Sequence, residues 1–114
     1  MFKQMMEKQK DFQKNFFNHA ELTREEKVKW TKEFILCAHQ ELAEVLDSVD
    51  WKTYHNYAKE YNDEHLKTEI IDVLKFVMNL AIVWGMSAED IEDEFNRKTD
   101  ITISRFKSKQ NGII

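Results

Sequence analysis

The sequence predicts an all-α fold, a compact four- to five-helix bundle, and three observations carry that expectation. Proline is absent and glycine occurs only twice, at Gly85 and Gly112, so little in the chain interior would break a helix. No segment alternates apolar and polar residues for the length of a strand, whereas apolar residues recur every three to four positions. At 114 residues the chain supports one modest core, and residues 1–114 read as a single domain.

The first helix is expected over roughly 2–17, with Met5, Met6, Phe12 and Phe16 among its apolar positions. A break follows at "NHAELT". Thr23 with Glu26 then forms a capping-box pattern that opens a second helix running to about Val49. A shorter helical piece is expected over about 51–61. The most apolar helix begins near Asp63 and stops at Gly85, a residue suited to the left-handed conformation past a helix end. Ser87 caps a last helix over about 88–108, with Asp90 at its third position.

Composition excludes several classes. A formal charge of −4 gives no reason to expect a nucleic-acid partner. The apolar run from Ile70 to Trp84 is interrupted by Lys75 and Asn79, so no membrane association is expected. Cys37 is alone, which rules out an intramolecular disulfide and a cysteine-built zinc site. The N-terminus "MFKQMMEKQK" has no apolar signal region, and a cytoplasmic protein is expected.

The apolar helix carries two carboxylates one turn apart. At 100° per residue Glu69, Asp72, Lys75, Phe76 and Asn79, with Val83, share an arc of roughly 120°. The rest of the circumference is apolar, so the helix should be buried on most sides. The polar stripe either faces water or serves a purpose. Its two acids repel unless something positive lies between them. The second helix offers a matching pair, Glu41 and Glu44, beside an apolar arc of Phe34, Ile35, Ala38, Leu42, Val45, Leu46 and Val49. Antiparallel packing of the two helices could gather Glu41, Glu44, Glu69 and Asp72. Four carboxylates without Cys or His suit a hard cation, Mg²⁺ or Mn²⁺. A di-iron bundle would need Glu-x-x-His on two helices, and no Glu here is followed by His at that spacing. In the last helix Lys98 and Arg105 share a face bordering Ile91, Phe95, Thr102 and Phe106, which should turn inward. These cations would stand at the edge of a core-facing crevice or remain solvated with buried stems.

These motifs resemble the all-α nucleoside triphosphate pyrophosphatases, comprising MazG-like enzymes and the dimeric dUTPases. That family pairs ExxE on one helix with ExxD on the next, here Glu41/Glu44 and Glu69/Asp72. "ELAEVLDSVDWKTYH", "EIIDVLKFVMNL" and "FNRKTDITISR" are similar to elements of the dimeric dUTPase branch, as is "MEKQKDFQ" of its first helix. Lys75 stands where the family often has His, and Thr99 and Thr102 where it often has Asn.

The resemblance implies hydrolysis of a deoxynucleoside triphosphate, dUTP first among them, to the monophosphate and pyrophosphate. Glu41, Glu44, Glu69 and Asp72 would bind Mg²⁺, with Mn²⁺ as a substitute, and Glu41 or Glu44 would accept a proton from the attacking water. Lys98, Arg105 and Lys52 would bind phosphate. Gln9, Trp51, Phe76 and Asn79 would meet the base or sugar, although Trp51 could equally be core filler. A homodimer or dimer of dimers is implied as well. The alternatives are a MazG-like enzyme acting on dCTP or on several nucleotides, and a helical module that binds nucleotide or a protein partner without catalysis.

Overall fold

A computed structural model of the chain describes residues 1–49, 51–52 and 62–110, and among them every regular element is an α-helix. The helices are α1 (Phe2–Gln13), α2 (Arg24–Asp47), α3 (Asp63–Val83) and α4 (Ala88–Gln110). The all-α expectation holds. The first helix is shorter than expected, giving way to a turn after Gln13. Of the helical piece expected at 51–61, Trp51 and Lys52 are not helical and residues 53–61 lie outside the described residues.

Helix ends follow local chemistry closely. Thr23 Oγ1 accepts from the Glu26 amide at 3.2 Å while the Glu26 carboxylate accepts from the Thr23 amide at 3.1 Å. That reciprocal bonding holds the Glu26 carboxyl below its ordinary range, the bond to the Thr23 backbone being the main cause. Ser87 and Asp90 make the same exchange at the start of α4. At the end of α3 Gly85 takes φ +74°, and the amides of Gly85 and Met86 bond back to the carbonyls of Ile82 and Ala81 at 3.1 and 2.9 Å. A residue with a Cβ would be strained there, which explains a glycine at this point of a chain that uses so few.

Helices α2 and α3 form the most extensive pairing, and α1 leans on α3. The core is built from Met6, Phe17, Phe34, Met78, Ile82, Val83 and Ala88, with Ile82 and Val83 fully enclosed. Aromatic rings seal one end: Trp30 lies between Phe17 and Phe34, at centroid distances of 5.0 and 5.5 Å. Trp84 donates its indole N–H to Thr31 Oγ1 at 2.8 Å, joining the end of α3 to the start of α2.

The burial pattern of α3 corrects one sequence expectation. The helix is not covered on most sides. Its polar stripe turns inward, with Glu69 and Asn79 buried, while Ile70, Ile71 and Val77 of the apolar arc are about half exposed. The reason is the choice of neighbour: α2 and α1 pack against the acidic side. Helix α2 shows the same asymmetry, since Phe34 and Ala38 are buried but Ile35, Leu42 and Leu46 are exposed. Phe95 and Phe106 on α4 were expected to turn inward and are instead exposed. Helix α4 leaves α3 through a bend of 106° and, apart from contacts near α1, stands off from the other helices. The radius of gyration, 18.4 Å, accordingly exceeds the ~13 Å expected of a close-packed domain of this length.

Ile82→Ala should lower unfolding free energy by about 3 kcal/mol, through lost burial and the cavity left behind. Urea denaturation followed by circular dichroism measures it. A loss below about 1 kcal/mol would show that Ile82 is not packed as described.

Candidate active site and metal centre

The α2–α3 pairing brings the two acidic pairs together. Glu41 is half-buried, Glu44 exposed, Glu69 buried and Asp72 half-buried. The Glu41 carboxyl is pushed above the ordinary carboxylate range. The chief cause is a shared proton with Glu44, followed by burial and by the negative charges of Glu44, Asp72 and Glu69. All three other acids therefore act on Glu41. Its Oε2 atom is buried without any hydrogen-bond partner among the described residues. Glu69, by contrast, has a partner on each oxygen: His65 Nε2 at 2.7 Å from Oε1 and the Ser48 hydroxyl at 3.1 Å from Oε2.

A divalent cation fits this donor set. The acids supply only oxygen, and among the described residues the buried Oε2 of Glu41 lacks a partner and no positive group relieves the repulsion on Glu41. Among the described residues no three carboxylate, imidazole or thiol groups already converge tightly enough to hold an ion. Like charges with nothing positive between them are expected to stand apart in this way.

A cavity of about 500 Å³ opens from the acids. Glu41 and Asp72 lie on its wall, and Phe12, Phe16, Trp30, Phe34 and Phe76 give it an aromatic lining. Three amide side chains face it as well. Gln9 donates from Nε2 to Asn79 Oδ1 at 2.8 Å, joining α1 to α3. Gln13, one turn along α1, is only 5 % exposed and makes no side-chain hydrogen bond with any described residue. Lys75, between Asp72 and Asn79 on α3, is the one cation among the described lining residues. Asp72 and Asn79 are separated by about 10 Å of helix rise, close to the span from a nucleobase to the 5′-phosphate of its nucleotide. An aromatic-lined cavity that holds the amides of Gln9, Gln13 and Asn79 together with the carboxylates of Glu41 and Asp72 has the layout of a nucleotide site.

Comparison with known families decides what kind. A family model described as dUTPase matches residues 1–111, nearly the whole chain. The chain belongs to the dUTPase family. This is the all-α, dimeric dUTPase family that the acidic motifs resemble, and the chain is a dUTP diphosphatase-like nucleoside triphosphate pyrophosphohydrolase. No curated protein and no solved structure gives a significant match.

Within this dUTPase-family chain the residues singled out from sequence fall into two groups. Gln9, Phe76 and Asn79 share the cavity with Glu41 and Asp72, while Glu44 and Glu69 adjoin it through Glu41. Trp51 and Lys52 are exposed and do not line the cavity; the Lys52 ammonium lies 5.6 Å from the centre of the Trp51 ring. Lys98 and Arg105 are exposed on α4, away from the cavity. Of the other lining residues, Phe12, Phe16 and Phe34 read from sequence as apolar helix positions and Lys75 as part of the acidic stripe, while Gln13, Trp30, Glu33 and Cys37 have no place in the site expected from sequence. Spacing held a signal for three of them. Gln13 follows Gln9 by one turn, and Glu33, Cys37 and Glu41 succeed one another at intervals of four on one face of α2.

Glu41 holds its proton more tightly in the folded chain than in the unfolded one. Its stabilising contribution is therefore fully present at pH below the unfolded carboxylate value and is lost as pH rises through the raised folded value. In metal-free buffer the urea midpoint of the wild type should fall between acidic and neutral pH relative to that of Glu41→Gln. Parallel pH profiles for the two proteins would contradict the raised proton affinity.

Proposed function

We propose that the protein hydrolyses deoxynucleoside triphosphates, dUTP first among them, to the monophosphate and pyrophosphate with Mg²⁺ as cofactor and Mn²⁺ as a substitute. One observation carries the reading. A single cavity joins Glu41 and Asp72, which form no ion pair with a described residue, to an aromatic slot edged with amides. Glu41, Glu44, Glu69 and Asp72 would hold the cation. A divalent ion bound there supplies charge neutralisation for the polyphosphate and a more acidic water.

The chain's own residues do the remainder. Phe12, Phe34 and Phe76 exclude water around the base, and the Gln9–Asn79 pair presents hydrogen-bonding groups to its edge. Lys75 offsets phosphate charge inside the cavity. Glu41 or Glu44 accepts the proton of the attacking water. Lys52, Lys98 and Arg105 are proposed phosphate ligands. Because α4 is exposed, its two cations reach a triphosphate only where that helix closes over a cavity, its own or a partner's. Trp51, exposed outside the cavity, would meet the base only by closing over it.

A wider base range is favoured by one feature. No described residue fixes the Gln13 amide, so it can turn to match either a uracil edge or a cytosine edge. Activity on dCTP alongside dUTP is the second reading.

Pyrophosphate release from a panel of nucleoside triphosphates with Mg²⁺ tests the function. Turnover is expected on dUTP, and Glu69→Gln and Asp72→Asn should each lower kcat by about 100-fold or more, several kcal/mol of lost charge stabilisation. No turnover on any nucleotide would refute the assignment, and full activity in either variant would move the metal elsewhere.

The homodimer, or dimer of dimers, is proposed on the uncovered apolar surface. Ile70, Ile71 and Val77 on α3, Leu42 and Leu46 on α2, and Phe95 and Phe106 on α4 are all exposed. A cytoplasmic location fits the lone Cys37, and no single helix among the described residues is long and apolar enough to cross a membrane. Light scattering at micromolar concentration should give at least twice the 13.8 kDa of one chain. Ile71→Glu should shift the population to monomer, and a monomeric wild type would rule the assembly out.

A further inference from the structure

We infer that Ser48 and His65 are positioning residues for Glu69, holding its carboxylate in place for the divalent cation and so setting the affinity of the site for that ion. The inference rests on the proposed metal role of Glu41, Glu44, Glu69 and Asp72. Glu69 is the most enclosed of the four acids, 8 % exposed, and the one in which both oxygens are engaged by described protein groups. His65 reaches Oε1 from one turn earlier on α3. Ser48 reaches Oε2 from the C-cap of α2, one turn beyond Glu44. The Ser48 contact therefore ties the end of the helix that carries the first acidic pair to the helix that carries the second.

The Ser48 hydroxyl has one hydrogen and two acceptors within reach, the Glu44 carbonyl at 2.9 Å and Glu69 Oε2 at 3.1 Å. It can lean toward either acceptor without being stranded, so it need not oppose an arriving cation. Each carboxylate oxygen also carries two lone pairs, enough to accept one of these hydrogen bonds and still face an ion. Glu41 has no such support on Oε2 among the described residues. The cluster thus pairs one ligand fixed in advance with one that keeps an oxygen open toward an ion. A purely structural role accounts poorly for His65. Its side chain is 63 % exposed, and an exposed pair one turn apart on a helix contributes little to stability.

Mn²⁺ uptake by the full chain, without nucleotide and at fixed pH, tests the inference. The free ion is followed by electron paramagnetic resonance, with urea midpoints measured alongside. Ser48→Ala and His65→Phe should each weaken Mn²⁺ binding on the order of 10-fold or more, the usual cost of removing a group that orients a metal ligand. Ser48→Thr, which keeps the hydroxyl, should restore wild-type affinity, a rescue that a general loss of stability would not give. If Ser48→Ala does not fold, His65→Phe at its exposed position decides the matter. Wild-type Mn²⁺ affinity in both variants would overturn the inference while leaving the metal site intact. A wild type that takes up no Mn²⁺ would overturn the metal reading and this inference with it.

Discussion

The packing of α2 on α3 sets acid against acid, and most of the architecture answers to that contact. Glu41, Glu44, Glu69 and Asp72 come from two helices whose pairing would be stronger with apolar residues in their place. Unfavourable proximity is visible in Glu41, whose carboxyl resists ionisation and whose Oε2 finds no donor among the described residues. Folded chains tolerate such local costs where a ligand relieves them, and elsewhere they compensate. Here the compensation lies at the other end of α3. Ile82 and Val83 are fully enclosed, Phe34 and Trp30 stack, and a glycine-terminated turn closes the helix. The helix is anchored at its C-terminal half, so its N-terminal half is free to carry charge.

That division of labour explains why the cavity lies where it does. Toward the anchored end, α1 crosses α3 closely enough for Gln9 and Asn79 to bond, and the aromatic side chains form walls. Toward the acidic end, the hydrogen bond from Ser48 to Glu69 ties α2 to α3. The slot between carries the amides of Gln9, Gln13 and Asn79 where α1 meets α3, Glu41 and Asp72 at the acidic end, and Glu33 two turns before Glu41 on α2. Lys75, midway, is the one cation among the described lining residues. An ammonium group donates hydrogen bonds without accepting them. That point of the cavity therefore recognises acceptors such as phosphate, hydroxyl or carbonyl oxygen.

Local features were legible in the sequence, and relations between helices much less so. The Thr23 and Ser87 caps, the Gly85 stop and the ExxE and ExxD pairs depend on residues within one or two turns, so spacing alone revealed them. The inward face of α3 did not follow from its periodicity. A helical wheel gives the width of a stripe but not the neighbour it meets, and the wide apolar arc pointed to the wrong side. The spacing of Gln9 and Gln13 placed them on one face of α1, but the burial of Gln13 depends on packing between segments far apart in the chain. The exposure of Phe95 and Phe106 depends on the angle at which α4 leaves α3, which nothing in the sequence of α4 encodes.

The apolar residues left uncovered bear on the same acidic contact. Ile70 and Ile71 stand on α3 between Glu69 and Asp72, so whatever covers them also constrains the backbone that carries two of the four proposed ligands. Among the described residues this segment is held on one side, by α2 through Ser48 and by the seam around Glu41. A second copy seated on the exposed side would hold it from both. The energy of burying those side chains, about 25 cal/mol per Å² of apolar area, would then offset part of the repulsion among the acids. Assembly and metal binding would in this way stabilise one and the same helix from opposite faces. Each would favour the other without any contact between the subunit interface and the ion.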